Sequence, residues 1–286
     1  MVAESSGPPP TPGATQLGGE LKARLEQLGY VGWRGGPADP SAWAVWAALS
    51  ARWERRLTLI DLYQLEATAR GIPVAELPQE DRARMAAQVW AVQFPGWGLA
   101  GGWSRSPVPV EVVAYDPTWP ARYADWEHQL RNAVGPVAQR LDHVGSTSVP
   151  GLMAKPVIDI QMSVLQLEDE TKYADQIASV GLPLRTRDTL HRFFCPPPTS
   201  PRTVHLHVCQ SGSGWEREHL LFRDYLRAHP DVCQGYGTLK QELATIWRED
   251  RPAYTDAKTT FILDAARDAE VWAQATGWQL STDDGK

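Results

Sequence analysis

The residues best equipped for chemistry stand in one stretch, HVGSTSVPGLMAKPVIDIQ, residues 143–161. Gly145-Ser146-Thr147-Ser148 is a short polar loop. A glycine lets backbone N–H groups come close to an anion, because no Cβ obstructs the approach, and the neighbouring hydroxyls add donors. Lys155 brings a positive charge to the same place. Twelve residues separate Ser146 from the next acid, Asp159, which lies inside the apolar run VIDIQMSV. A carboxylate among apolar neighbours is costly unless it is paired or bound to metal. Further on, TVHLHV carries His205 and His207 two residues apart, hence on one face of a strand. Asp159 with His205 and His207 makes a set for a divalent ion (Mg, Mn or Zn), and its imidazoles suit a transition metal better than magnesium. The catalytic pair on this reading is Asp159 and His207. Two plainer readings stay open: a tight turn with a buried acid paired to an arginine, and a hydrogen bond between His207 and Asp159 with no metal.

These side chains need strands to hold them. The run from Val157 to Val164 is the strongest strand signal in the chain, and its period of two sets Asp159 with Val157 and Gln161, opposite Ile158 and Ile160. Gln161 stands where a second carboxylate would complete a two-metal centre. Residues 138–144 read as a short strand leading into the loop, and Val110–Tyr115 as another. Residues 190–196 and 203–209 read as two strands joined by a proline-rich turn. Helices are expected from Asp116-Pro117 to about Val134, over 166–180, and over roughly 215–228, 231–247 and 255–275. The second part of the chain is therefore expected to be α+β, a mixed sheet with packed helices.

The first part has a different character. Residues 1–19 are rich in Pro, Gly and Ser and read as a disordered tail without the basic and apolar regions of a signal peptide. Residues 20–95 read as a small all-α, Trp-rich module, with 96–107 as a Gly/Pro-rich linker and 108–280 as the α+β domain. The 13 tryptophans are read mainly as packing. A net charge of -6 disfavours nucleic acid as a partner. No apolar run reaches the roughly 20 residues needed to span a bilayer. The three cysteines, Cys195, Cys209 and Cys233, form no CxxC, so a cytoplasmic setting is expected. Walker A, Rossmann and G-x-S-x-G fingerprints are absent.

Gly-Ser followed by nine to thirteen residues and then acid-apolar-acid resembles the pattern of the DNA polymerase β-like nucleotidyltransferases, with Gln161 departing from it. HVGSTSVPGLMAKPVIDIQMSV, HRFFCPPP, HLHV, WEREHLLFRDYLRAHPDV and YTDAKTTFI, after the opening VVAYDPTWPARY, together resemble the GrpB family over about residues 108–275. The resemblance implies a nucleotidyltransferase-like fold. It assigns Gly145, Ser146, Thr147, Lys155 and Asp159 to a signature loop and strand, and picks out Arg192, His207, Arg223, Asp224 and Lys258. Lys155, Arg192, Arg223 and Lys258 would then contact an anion, the arginines in bidentate fashion. The expected function is binding of a nucleotide or other small anion, with metal-assisted transfer of a nucleotidyl or related group. The alternatives are a non-catalytic accessory protein whose protein partner docks on the helical module, and a specialised ligase or transferase of secondary metabolism.

Overall fold

The computed structural model describes residues 63, 66, 67, 70–82, 108–187 and 190–280. The chain divides into two compact units, residues 1–95 with 255–260, and residues 96–254 with 261–286. The all-α module expected over 20–95 and the linker over 96–107 lie largely outside the described residues. Within the first unit Tyr63, Ala67 and Leu77 are buried. The Tyr63 hydroxyl donates to the Arg82 carbonyl, and Arg70 pairs with Glu66 and Asp81 around a 3-10 turn, Val74–Glu76.

The second unit is built on a five-stranded sheet of order β1-β2-β5-β4-β3. The strands are β1 (Arg140–Val144), β2 (Ile158–Val164), β3 (Leu184–Arg187), β4 (His191–Phe194) and β5 (Val204–Gln210). β1 runs antiparallel to β2, β2 parallel to β5, β5 antiparallel to β4, and β4 antiparallel to β3. The sheet is mixed and the fold α+β, as the alternation of patterns in the sequence predicts.

One face of the sheet carries the core. Ile158, Ile160, Met162 and Val164 of β2 pack with Val204, Leu206 and Val208 of β5 and with Phe194. Helix α1 (Trp119–Val134) covers them. Pro120 sits in its first turn, where a missing N–H costs nothing, and Gly135 ends it at φ 57°. Its inward residues Trp119, Tyr123, Trp126 and Leu130 recur at helical spacing. Full burial of each such large side chain stabilises the fold by roughly 1.5–3 kcal/mol. Helix α2 (Ala174–Ser179) closes the same face through Ile177. The other face is polar, and beyond it come α3 (Gly214–Ala228), α4 (Pro230–Ile246), α5 (Arg251–Asp256) and α6 (Thr259–Thr276).

Three expectations need correcting. Val110–Tyr115 is not a strand of the sheet: only Val113 is bridged, to Ala154, while the Val110 amide bonds the Arg248 carbonyl. The long helix over 166–180 shrinks to a 3-10 turn, Glu170–Lys172, and α2. There Glu168 and Glu170 turn aside to pair with Arg192, and the Tyr173 hydroxyl folds back onto the Leu167 carbonyl. These tertiary bonds outweigh local helix propensity. β3 was not expected, since LRTR lacks the apolar alternation of a strand.

Candidate functional site

The register of the sheet assembles the polar face. Val144, Asp159 and His205 lie in one row across β1, β2 and β5, and Asp142, Gln161, His207 and Phe193 in the next. Side chains of adjacent strands in register point to the same face, so Asp159, His205 and His207 converge. Their ligating atoms all lie within 4.8 Å of one another, as among the described residues those of no other His, Cys, Asp and Glu trio do.

Gly145 makes the approach of loop to carboxylate possible. It adopts φ 68°, where only glycine is comfortable, and a Cβ on it would stand 2.5 Å from Asp159 Oδ2. The loop that follows is a 3-10 turn, Ser146–Ser148. Its side chains divide. Thr147 is buried and its hydroxyl donates to the Val157 carbonyl while bonding His143 Nε2 at 3.0 Å. Since that hydroxyl has given its proton away, His143 is the donor, a neutral Nε2–H tautomer. Burial pushes His143 down to about 4, and Tyr123 stacks on its ring. Ser148 is buried and donates to the Gly145 carbonyl. Ser146 is the half-exposed member of the turn and lies near the phenol of Tyr236 on α4. Lys155 lies half-buried with its ammonium 5.2 Å from the Tyr254 ring centre.

Asp159 is oriented by a chain of donors. Arg202 Nε is 2.6 Å from His205 Nε2, and His205 Nδ1 is 2.8 Å from Asp159 Oδ1. An arginine only donates, so His205 Nε2 accepts and its Nδ1–H points at the carboxylate. Thus His205, and not His207, is the hydrogen-bonded partner of Asp159. Burial pushes the Asp159 carboxyl up. The His205 hydrogen bond, with the positive charge of Lys155 nearby, outweighs that and holds it at about 2. Its side chain remains 28% exposed, so it is ionised and reachable.

His207 differs. Burial holds it well below the ordinary histidine range, against the pull of Asp159, so the ring is neutral at pH 7. Phe193, His191 and Trp215 lie around it, with ring centres 5.0 to 5.6 Å away. Its Nδ1 is buried with no hydrogen-bond partner among the described residues. Beside it in register, Gln161 donates to the Glu216 carbonyl through Nε2, while its Oε1 is also buried and unpartnered there. These residues do not fit two carboxylates gripping a pair of magnesium ions. They fit one ion held by an oxygen and a nitrogen, with which the neutral Gln161 amide would not compete in charge.

The remaining expected residues lie elsewhere. Arg192 is buried on β4, paired with Glu168 and Glu170. Arg223 on α3 pairs with Asp224, reaches Asp142 at 3.6 Å and donates to the His143 carbonyl, so it braces the strand leading into the loop. Arg227 likewise donates to the Ser148 carbonyl. Lys258 is half-buried in the turn between α5 and α6 and belongs to the first compact unit. Arg202, Tyr236 and Tyr254 were not anticipated. Arg202 lies three residues before His205, in the proline-rich turn, a weak local signal. The two tyrosines come from helices far along the chain, and nothing near them in sequence announces the contact.

The fold and polar face define an α+β protein with an acid–histidine cluster beneath a Gly-Ser loop. The GrpB protein family model matches residues 109–268, and the chain belongs to that family. It is 37% identical over 164 residues to a UPF0157 protein of Halalkalibacterium halodurans, covering 56% of this chain and 82% of that one. A protein named dephospho-CoA kinase from Mycobacterium leprae is 32% identical over 205 residues, 60% of this chain and 49% of the kinase. The crystal structure of the conserved protein GrpB from Enterococcus faecalis superposes with a TM-score of 0.53 at 30% identity, covering 57% of this chain and 99% of that one. Among the described residues no helix is long and apolar enough to cross a membrane.

Proposed function

We propose that this protein binds a nucleotide or another phosphorylated small molecule at the 145–148 loop and transfers a nucleotidyl or related group with metal assistance. The observation that carries the reading is the packing of Gly145 directly on Asp159. It sets backbone donors suited to phosphate oxygens beside a carboxylate suited to a cation, the juxtaposition that phosphoryl chemistry uses. Ser146 and Lys155 supply the side-chain contacts to the anion, Lys155 as a point charge. His143, Thr147, Ser148, Arg223 and Arg227 shape the loop from behind. A bound divalent ion would neutralise phosphate charge and polarise the reacting phosphorus. Asp159 would hold it, and neutral His207 would face the same space.

A non-catalytic binding role is the second reading, and Gln161 favours it. With one acid where the nucleotidyltransferase pattern has two, ligand binding survives more readily than turnover. Titration calorimetry with nucleoside triphosphates and pyrophosphate, with and without Mg²⁺, Mn²⁺ and Zn²⁺, tests the proposal. Micromolar binding that Asp159→Ala weakens at least about tenfold supports it. Absence of binding in every combination, or an unchanged affinity in Asp159→Ala, sinks it. Pyrophosphate release with a bound triphosphate separates the transferase from the silent binder.

A further inference from the structure

We infer that the cluster under the loop is a transition-metal site in which Asp159 and His207 are the protein's ligands, while His205, although nearest to Asp159, is a positioning residue that never touches the ion. The inference rests on the binding reading above and makes its metal chemistry definite.

The argument is one of lone pairs. An imidazole ligates through an unprotonated nitrogen. His205 has none to offer: Nε2 already accepts from Arg202 Nε at 2.6 Å, and Nδ1 carries the proton directed at Asp159 Oδ1, 2.8 Å away. Binding an ion through His205 would require expelling Arg202, which packs over the Phe193 ring. His207 is the opposite case. Neither of its ring nitrogens has a hydrogen-bond partner among the described residues, and one of them belongs to the cluster whose ligating atoms lie within 4.8 Å of each other. Buried polar groups in folded proteins are nearly always satisfied, so an imidazole without a hydrogen bond, clustered with an ionised carboxylate, is chemically suited to a cation. Gln161 Oε1, its neighbour in register, is unsatisfied as well. An imidazole nitrogen with no hydrogen bond and a carboxylate oxygen within 4.8 Å of each other suit a cation that takes both.

The donor set then selects the ion. Magnesium prefers oxygen ligands and gives up its waters reluctantly, whereas imidazole with carboxylate suits zinc, manganese or cobalt. Arg202 and His205 play the part of outer-shell groups that fix a ligand's orientation. With two protein ligands, coordination positions are left open for phosphate oxygens or water.

The test uses the full chain stripped of metal with EDTA and dialysed. ZnCl2, MnCl2 and MgCl2 are titrated separately by calorimetry, with metal content read by emission. One equivalent of zinc is expected, bound at least roughly 100-fold more tightly than magnesium. His207→Ala is expected to abolish zinc binding, and His205→Ala to weaken it about 10–100-fold. Paramagnetic broadening of histidine ring resonances by Mn²⁺ in the wild-type protein gives an assignment that needs no variant to fold: His207 should vanish before His205. Failure of wild-type protein to take up zinc, equal affinity for magnesium, or first broadening at His205 overturns the inference. Pyrophosphate titrated in EDTA reads the loop independently, so loss of the metal site and loss of the anion site are distinguishable.

Discussion

At the β3–β4 edge of the sheet, Arg192 is 3% exposed and its guanidinium is matched by Glu170 and Glu168, with Arg187 completing the group on Glu170. Two strands away, on the opposite face of the same sheet, Asp159, His207 and Gln161 are also sunk among other groups. There the pairing stops halfway: one carboxylate oxygen takes His205, while a ring nitrogen and an amide oxygen take nothing among the described residues. The first cluster is finished by the protein alone. The second leaves two buried polar atoms without a protein partner among the described residues. Buried charge is tolerated when it is matched, so the unmatched cluster is the one to which we assign the proposed function.

The comparison can be broken at either end. The largest effect is expected at the finished cluster. Arg192→Met leaves Glu170 without its buried partner, and stability should fall by roughly 3–5 kcal/mol, read by denaturant unfolding, with anion affinity in the surviving folded fraction unchanged. If stability barely moves, the edge network is decoration and the contrast fails.

His143 gives the next largest effect, through pH. Unfolded, its ring titrates near the ordinary value of 6.5; folded, burial holds it at about 4. Between those values the unfolded chain binds the additional proton. Stability contributed by the neutral ring is complete above about pH 6.5 and drains away as pH falls towards 4, by up to about 3 kcal/mol. Unfolding free energies between pH 7 and 4 should show this slope, and His143→Gln, which keeps a donor for Thr147, should flatten it.

Gly145→Ala follows. Strain at φ 68° with a contact 2.5 Å from Asp159 Oδ2 should cost about 1–3 kcal/mol and lower the melting temperature by several degrees. Anion affinity should be lost with it. The smallest stability effect belongs to the unfinished cluster. Asp159→Asn retains an oxygen for His205 Nδ1–H, so the change should stay within about 1 kcal/mol, while metal and anion binding collapse. A large stability loss in Asp159→Asn would mean that this cluster, too, is structural.

The sequence carried β2, the loop and the shared face of Asp159, His205 and His207, because each depends on a local period or a short spacing. It could not say which loop hydroxyls face outward. Thr147 and Ser148 turn inward because β1 and the Val157 carbonyl close over the 3-10 turn, a tertiary event with no local trace. The same holds for Arg192 and Arg223. Their residue type suits phosphate, but Glu168 and Glu170 claim Arg192 from another element, while Arg223 is taken by its own neighbour Asp224 and by the His143 carbonyl of β1. The Ser146–Tyr236 contact joins residues on opposite sides of the sheet's completion and was invisible for that reason.

The parallel pairing of β2 with β5 also bears on how the protein comes into being. Parallel neighbours cannot be joined by a tight turn, and here the chain makes an excursion through α2, β3 and β4 before Asp159 meets His205, 46 residues away. Pairings at such separation wait for the entropy of closing the intervening chain to be overcome. A nascent or partly folded chain therefore holds the loop and the acid without the histidines. Competence arises together with the centre of the sheet, so a ligand that needs both halves recognises finished molecules alone and stabilises them by mass action.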